Sequence, residues 1–172
     1  MFIRTKKINK KEYAYIVKNT WKKRKTEYRQ KVSSYLGRVY KLKKTINNQL
    51  EADYQKQSYK KTILDLIRLE LLNHGFKEIK KNTWQKETFM ADLKNKKVYD
   101  FKNKKNICLE INNNFLCSYT LRKLANFTPK KGLTELQIGK QLANAFEAAG
   151  ILISKEVFIF IAQKILKEVK RF

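Results

Sequence analysis

Acidic residues are scarce in this chain of 172 residues: 15 Asp+Glu stand against 40 Lys+Arg, leaving a formal net charge of +25. A codon bias toward lysine and asparagine would raise aspartate and glutamate as well, so the cation excess calls for a partner, and a polyanion is the usual one. Histidine occurs once, as His74, and cysteine twice, as Cys108 and Cys117. Both cysteines lie inside apolar runs away from other ligands, so two buried thiols in a reducing compartment are expected, not a disulfide or a metal site. His74 closes an apolar helical pattern and reads as a partner for the helix C-terminus, not a catalytic base. No glycine-rich loop could cradle a phosphate and no nucleophile has a visible base, which counts against most enzyme classes, and no cofactor is expected. The apolar run ILISKEVFIFIAQKIL is interrupted by Lys155, Glu156, Gln163 and Lys164, well short of the ~20 apolar residues of a membrane span. The opening MFIRTKKINKK has no apolar stretch behind its charges, so no secretory signal is expected. These features predict a cytoplasmic protein that does not enter a membrane.

What is present can build a core. Hydrophobic residues make up 42% and aromatics 12% of the chain, which argues for a folded protein over a disordered one. Charge is uneven: residues 1–61 carry 19 Lys+Arg and 4 Asp+Glu, and residues 62–172 carry 21 and 11. Lysines number 33 and arginines 7. Lysine is a mobile point charge suited to phosphates, whereas planar base reading prefers arginine. Recognition of a nucleic-acid backbone or shape is therefore expected over dense base readout.

Residues 1–42 read as a three-stranded antiparallel β-meander. Phe2–Ile8 is bounded by the turn Asn9-Lys10-Lys11, and EYAYIVKNTW then alternates, with Tyr13, Tyr15, Val17 and Trp21 on one face and Ala14, Ile16 and Lys18 on the other. A basic tip at residues 22–25 turns the chain. The third strand is expected from Thr26 to about Tyr35, with Tyr28, Gln30 and Val32 facing one way and Arg29 and Lys31 the other, and Gly37 is expected to break it.

The hydrophobic-Ile-Arg opening (Phe2, Ile3, Arg4), the aromatic second strand (Tyr13, Tyr15) and the Arg-Gln followed by Tyr-Leu-Gly (Arg29, Gln30, Tyr35, Leu36, Gly37) together resemble the N-terminal strand-rich segment of DDE-type insertion-sequence transposases. A related opening occurs in uncharacterised archaeal proteins. The resemblance covers about a quarter of the chain and implies nucleic-acid binding for residues 1–42. It implies no catalysis, because such a transposase needs a longer RNase-H-like core with three spaced carboxylates.

Residues 43–61 form a polar connector expected to be helical, since Ile46, Leu50 and Tyr54 stand four apart. An α+β domain is expected over 62–172. It begins with a helix from about Lys61 to Asn73, carrying Ile63, Leu64, Ile67, Leu71 and Leu72 as a stripe and ended by His74-Gly75. Four strand-like pieces follow, FKEIKKNTWQ, ETFMADLKN, KKVYDFKNK and KNICLEI, predicting an antiparallel sheet. After a turn at Asn112-Asn113-Asn114, FLCSYTLRKLANF reads as a strand passing into a helix. Thr134 and Gln137 have the spacing of a capping box, and Ser154 is placed to cap a last helix, predicting a C-terminal helical hairpin over the sheet.

The candidate contact set is aromatic and basic. Tyr13, Tyr15, Trp21 and Tyr28 offer faces for stacking, Lys22, Lys23, Arg24 and Lys25 form the tip, and Arg4, Lys6, Lys7, Arg29, Lys31 and Arg38 extend the basic surface. The plainer alternative makes some of these tyrosines the sheet's own core face and the lysines solvated. The transposase-like opening tilts the partner toward DNA, while a lysine-rich compact chain also fits RNA or a ribosome-associated assembly role. A second class is an interaction module whose C-terminal hairpin docks an acidic protein. A third is a magnesium-dependent nuclease of restriction-endonuclease type using Asp92 and Glu110, in which Asn112 stands where such sites want a lysine.

Overall fold

The computed structural model describes residues 1–22, 27–50, 52–129 and 132–169. Its architecture is α+β, with β1 (Phe2–Ile8), β2 (Lys11–Lys22), β3 (Glu27–Lys41), α1 (Tyr59–Asn73), β4 (Lys77–Lys80), β5 (Thr83–Lys86), β6 (Phe89–Asp92), β7 (Lys97–Asp100), β8 (Lys105–Ile111), β9 (Asn114–Cys117), α2 (Ser118–Ala125), α3 (Glu135–Ala149) and α4 (Lys155–Val169). The described strands form one mixed sheet of nine in the order β1-β2-β3-β8-β7-β6-β5-β4, with β9 also paired to β8. The sheet is larger than the separate sheets expected. FKEIKKNTWQ supplies two strands, β4 and β5, because Asn82 at φ 65 folds the segment back on itself.

Local chemistry explains the hairpins. Asn9 and Lys10 take φ of 48 and 62, and Asn112 and Asn113 take the same pair of values. Two successive left-handed residues give the two-residue turn whose twist matches antiparallel strands, and asparagine tolerates it best after glycine. The first turn joins β1 to β2 and the second joins β8 to β9.

Gly37 does not break β3, as the sequence suggested. The strand runs on to Lys41, and Arg38–Lys41 pair in parallel with Ile107–Glu110 of β8. Gly37 makes that junction possible: it sits at φ +133, and a Cβ there would fall on the Asn106 carbonyl oxygen and 2.8 Å from Ile107 Cα. Only a residue without a side chain lets the backbones of β3 and β8 approach this closely.

The connector also departs from expectation. Residues 42–50 form no helix, and a single 3-10 turn at Ala52–Lys56 leads to α1. Competing hydrogen bonds give the reason. Thr45 N and Ile46 N both donate to Asn73 O at the end of α1, Asn48 N donates to Asn73 Oδ1 at 2.9 Å, and Asn73 Nδ2 returns a bond to Asn48 O at 3.1 Å. Side-chain amides thus hold the segment extended across the helix end, and Ile46 is exposed.

Two apolar clusters occupy opposite faces of the sheet. The large one gathers Ile63, Ile67 and Leu71 of α1, Ile138, Leu142 and Phe146 of α3 and Val157, Ile161 and Ile165 of α4 against Ile107, Leu109, Ile111 and Leu116. The small one is Ala14, Val39, Cys108 and Cys117, edged by Ile3, Leu36, Phe115 and Tyr119. Alternation along β8 separates them, Leu109 pointing one way and Cys108 the other. The capping box expected at α3 is present, with Gln137 N donating to Thr134 Oγ1 at 3.3 Å and Thr134 N to Gln137 Oε1 at 2.9 Å. Ser154 Oγ accepts from Val157 N at the start of α4.

Candidate nucleic-acid interface

Cross-strand register decides which meander side chains share a face. Arg4 stands opposite Tyr15 and Lys6 opposite Tyr13 on the β1 side. On the β3 side Tyr13 stands opposite Arg38, Tyr15 opposite Tyr35, Val17 opposite Val32 and Trp21 opposite Tyr28. Tyr13, Tyr15 and Tyr35 therefore share one face with Arg4, Lys6 and Arg38. The other face carries Ala14 and Ile16 toward the small cluster, and further out it carries Lys7, Lys18, Arg29 and Lys31. The basic residues taken together in sequence are thus divided: Lys7, Arg29 and Lys31 lie behind the tyrosine face. Lys22 ends β2 opposite Glu27, and Lys23, Arg24 and Lys25 lie outside the described residues.

The tyrosine face is open. Phe2, Val32 and Tyr35 are 43%, 58% and 55% exposed, and Trp21 is also exposed. Tyr35 lies between Tyr13 and Tyr15, with ring centroids 6.3 and 5.4 Å away and tilted by 43° and 50°. Partial burial, then the neighbouring Tyr15 and Tyr13, raises the Tyr35 phenol above its ordinary value, so at neutral pH it is a hydrogen-bond donor. Arg4 Nη1 donates to Gln30 Oε1 across the strands. Beside this pair lies a cavity of about 420 Å³ lined by Arg4, Thr5, Lys6, Tyr15, Val17, Gln30 and Val32. Toward β8 the Arg38 guanidinium lies 4.8 Å from the centre of the Tyr40 ring, and Tyr40 packs on Phe89 at 4.6 Å. Arg38 thereby marks where the exposed half of the face meets the half covered by the large core.

Tyr35, Gln30 and Val32 were not in the candidate contact set, although Gln30 and Tyr35 belong to the resembling motif and Gln30 and Val32 were expected on the face of Tyr28. β3 slips register twice against β2, between Ala14 and Tyr15 and between Ile16 and Val17. Counting by twos from Val32 would put Ser34 beside Tyr15, whereas the shift between Ile16 and Val17 brings Tyr35 there and the other brings Gly37 opposite Ala14. The only trace in the sequence is the loss of clean alternation in VSSYLG.

The two carboxylates of the nuclease reading have local partners. Partial burial works to raise the Asp92 carboxyl, yet hydrogen bonds from Asn95 outweigh it and hold it below its ordinary value: Asn95 N donates to Oδ1 at 2.9 Å and Asn95 Nδ2 to Oδ2 at 2.6 Å. Glu110 pairs with Lys41 at 3.3 Å. Asn112 donates through Nδ2 to Glu70 Oε1 at 2.6 Å and to Gly150 O at 2.8 Å, binding the β8–β9 turn to α1 and to the end of α3. His74 caps α1 and is buried, its Nδ1 2.8 Å from Glu70 O. Among the described residues no three His, Cys, Asp or Glu lie close enough to hold a metal ion, and no helix is long and apolar enough to cross a membrane. No protein-family model matches the sequence, and neither a curated protein nor a solved structure matches it.

Proposed function

We propose that the protein binds nucleic acid through the meander, contacting mainly the backbone, in a role without catalysis. The observation that carries this reading is the juxtaposition of Arg4, Lys6 and Arg38 with Tyr13, Tyr15 and Tyr35 on one open face of a chain whose net charge is +25. Cations release the counterions condensed on phosphates, and aromatic rings beside them supply contacts that do not depend on sequence. DNA is favoured over RNA on the transposase-like opening of residues 1–42.

The test is a salt titration of binding to duplex and single-stranded DNA and RNA. Affinity is expected to fall linearly on logarithmic axes, by about 0.9 per phosphate contacted on duplex and about 0.7 on a single strand. Substituting Arg4→Gln and Lys6→Gln together is expected to flatten the slope by one to two such increments without unfolding the protein. Affinity that ignores salt would overturn the reading.

A further inference from the structure

We infer that the tyrosine face takes unpaired nucleic acid in preference to duplex, and that the cavity beside Tyr15 seats one base of the bound strand. This rests on the nucleic-acid reading above. A duplex shows an approaching surface its phosphates and the edges of its bases, while the flat faces of the bases stay stacked inside. Exposed aromatic and aliphatic side chains gain little from such a partner and would be desolvated against phosphate. An unpaired strand offers free base faces and a phosphate chain together.

The meander is sorted to suit the second partner. Phe2, Val32 and Tyr35 are left largely exposed on the face that also carries Arg4 and Lys6. On the opposite face Lys7 stands opposite Glu12 and Lys18 opposite Lys31, and the meander's own residues there, Thr5, Lys7, Glu12, Ala14, Ile16, Lys18, Arg29 and Lys31, include no aromatic. A surface meant only for duplex phosphates would look like that second face. Three strands span about 10 Å, a flat platform for a strand lying across them.

The cavity supplies the seat. Its lining joins the apolar Tyr15, Val17 and Val32 to the polar Arg4, Thr5, Lys6 and Gln30. The Gln30 amide oxygen is already taken by Arg4. The pair then has N–H groups left to offer, which suit the acceptor atoms on a base edge or the phosphate beside it. The base lies against Tyr15 and Val32 while Arg4 and Lys6 hold its flanking phosphates.

The experiment measures a fluorescently labelled short mixed-sequence strand against its own duplex, as DNA and as RNA, in one buffer at one salt concentration. The variants are Tyr35→Leu and Tyr15→Leu, which keep apolar bulk and remove the ring. The single strand is expected to bind at least about tenfold tighter than the duplex. Tyr35→Leu is expected to weaken the single strand about five- to tenfold and leave the duplex unchanged. Because Tyr35 is 55% exposed, this variant folds even if Tyr15→Leu does not, and a urea melt checks it. Equal affinity for duplex and strand, or a Tyr35→Leu variant that binds the strand as wild type does, overturns this inference alone. No binding to any oligonucleotide at low salt overturns the nucleic-acid reading, and this inference with it.

Discussion

Replacing Gly37 by alanine attacks the seam that joins the meander to the rest of the sheet. Two costs add. An L-residue at φ +133 is strained by about 1–3 kcal/mol. The new methyl would fall on the Asn106 carbonyl and 2.8 Å from Ile107 Cα; these are backbone atoms that cannot swing aside, and such overpacking costs about 1–3 kcal/mol more. The sum is ~2–6 kcal/mol, and at ~2–4 °C per kcal/mol for a domain of this size the melting temperature should drop by roughly 5–20 °C. Urea unfolding followed by fluorescence and far-ultraviolet circular dichroism provides the assay, with Trp21 reporting on β2 and Trp84 on β5. Single-tryptophan versions separate the two signals, and in Gly37→Ala the Trp21 signal is expected to move at lower urea than the Trp84 signal. Gly132→Ala is the control for strain alone, since Gly132 has φ +79 but nothing within 4 Å of the added methyl. If Gly37→Ala loses no more stability than Gly132→Ala, the close approach of β3 to β8 is wrong.

Three further perturbations probe the interior. Asn112→Asp keeps the shape but turns a donor into a carboxylate facing Glu70 and the Gly150 carbonyl; a loss of about 3 kcal/mol or more is expected at pH 7, partly recovered as pH falls toward the unfolded carboxyl value of ~4, because one of two facing acids takes up a proton early and can donate again. A variant as stable as wild type at pH 7 would show that the contact is unimportant. Cys108 and Cys117 are free and fully buried; lack of access should make both resist a thiol reagent in the native protein and react in urea, whereas prompt native labelling would contradict their placement. The Asp100 carboxyl is lowered chiefly by the hydrogen bond from Asn103, and Asp92 is lowered as well. Depressed carboxyls contribute stability that is full above the unfolded value of ~3.9 and is lost as pH falls through the folded values. Urea midpoints should accordingly hold from pH 7 to 5 and fall below about 4, less steeply in Asp100→Asn, and identical acid profiles for the two proteins would refute the assignment.

Periodicity carried what is local. The alternation of Tyr13, Tyr15 and Val17 against Ala14 and Ile16 reappears in the register of β2, and the spacing of Thr134 and Gln137 reappears as a closed capping box. What stayed hidden depends on residues far apart in the chain. Gly37 reads locally as a breaker, and only the approach of Asn106 turns it into a permissive point within a long strand. The connector has helical spacing at Ile46, Leu50 and Tyr54, but Asn48 and Thr45 find better partners in Asn73, 25 and 28 positions away. Glu70 looks like a solvent residue on α1, yet it is buried because Asn112 and Lys44 come to it from other elements. The candidate site was legible to the same extent. Alternation identified Tyr13 and Tyr15, and the register shift between Ile16 and Val17 was needed to add Tyr35.

The β3 bulges also bear on whether the tyrosine face, with Tyr35 exposed and Tyr13 and Tyr15 half-buried, is an interaction surface or merely uncovered core. On the side away from them, Ala14 and Val39 meet Cys108 and Cys117, so the meander already has the apolar contact that fixes it to the sheet. On their own side, cover is present where β3 runs beside β8, with Tyr40 against Phe89, and it ends at Arg38, whose guanidinium lies over Tyr40. Beyond Arg38, Tyr35 and Val32 are more than half exposed, while Val17 between the strands is 3% exposed. A face that was simply poorly packed would leave Val17 wet as well. Instead Val17 is covered by its neighbours while Val32 and Tyr35 stand open beside Arg4 and Lys6, so the exposure is confined to part of an otherwise packed face.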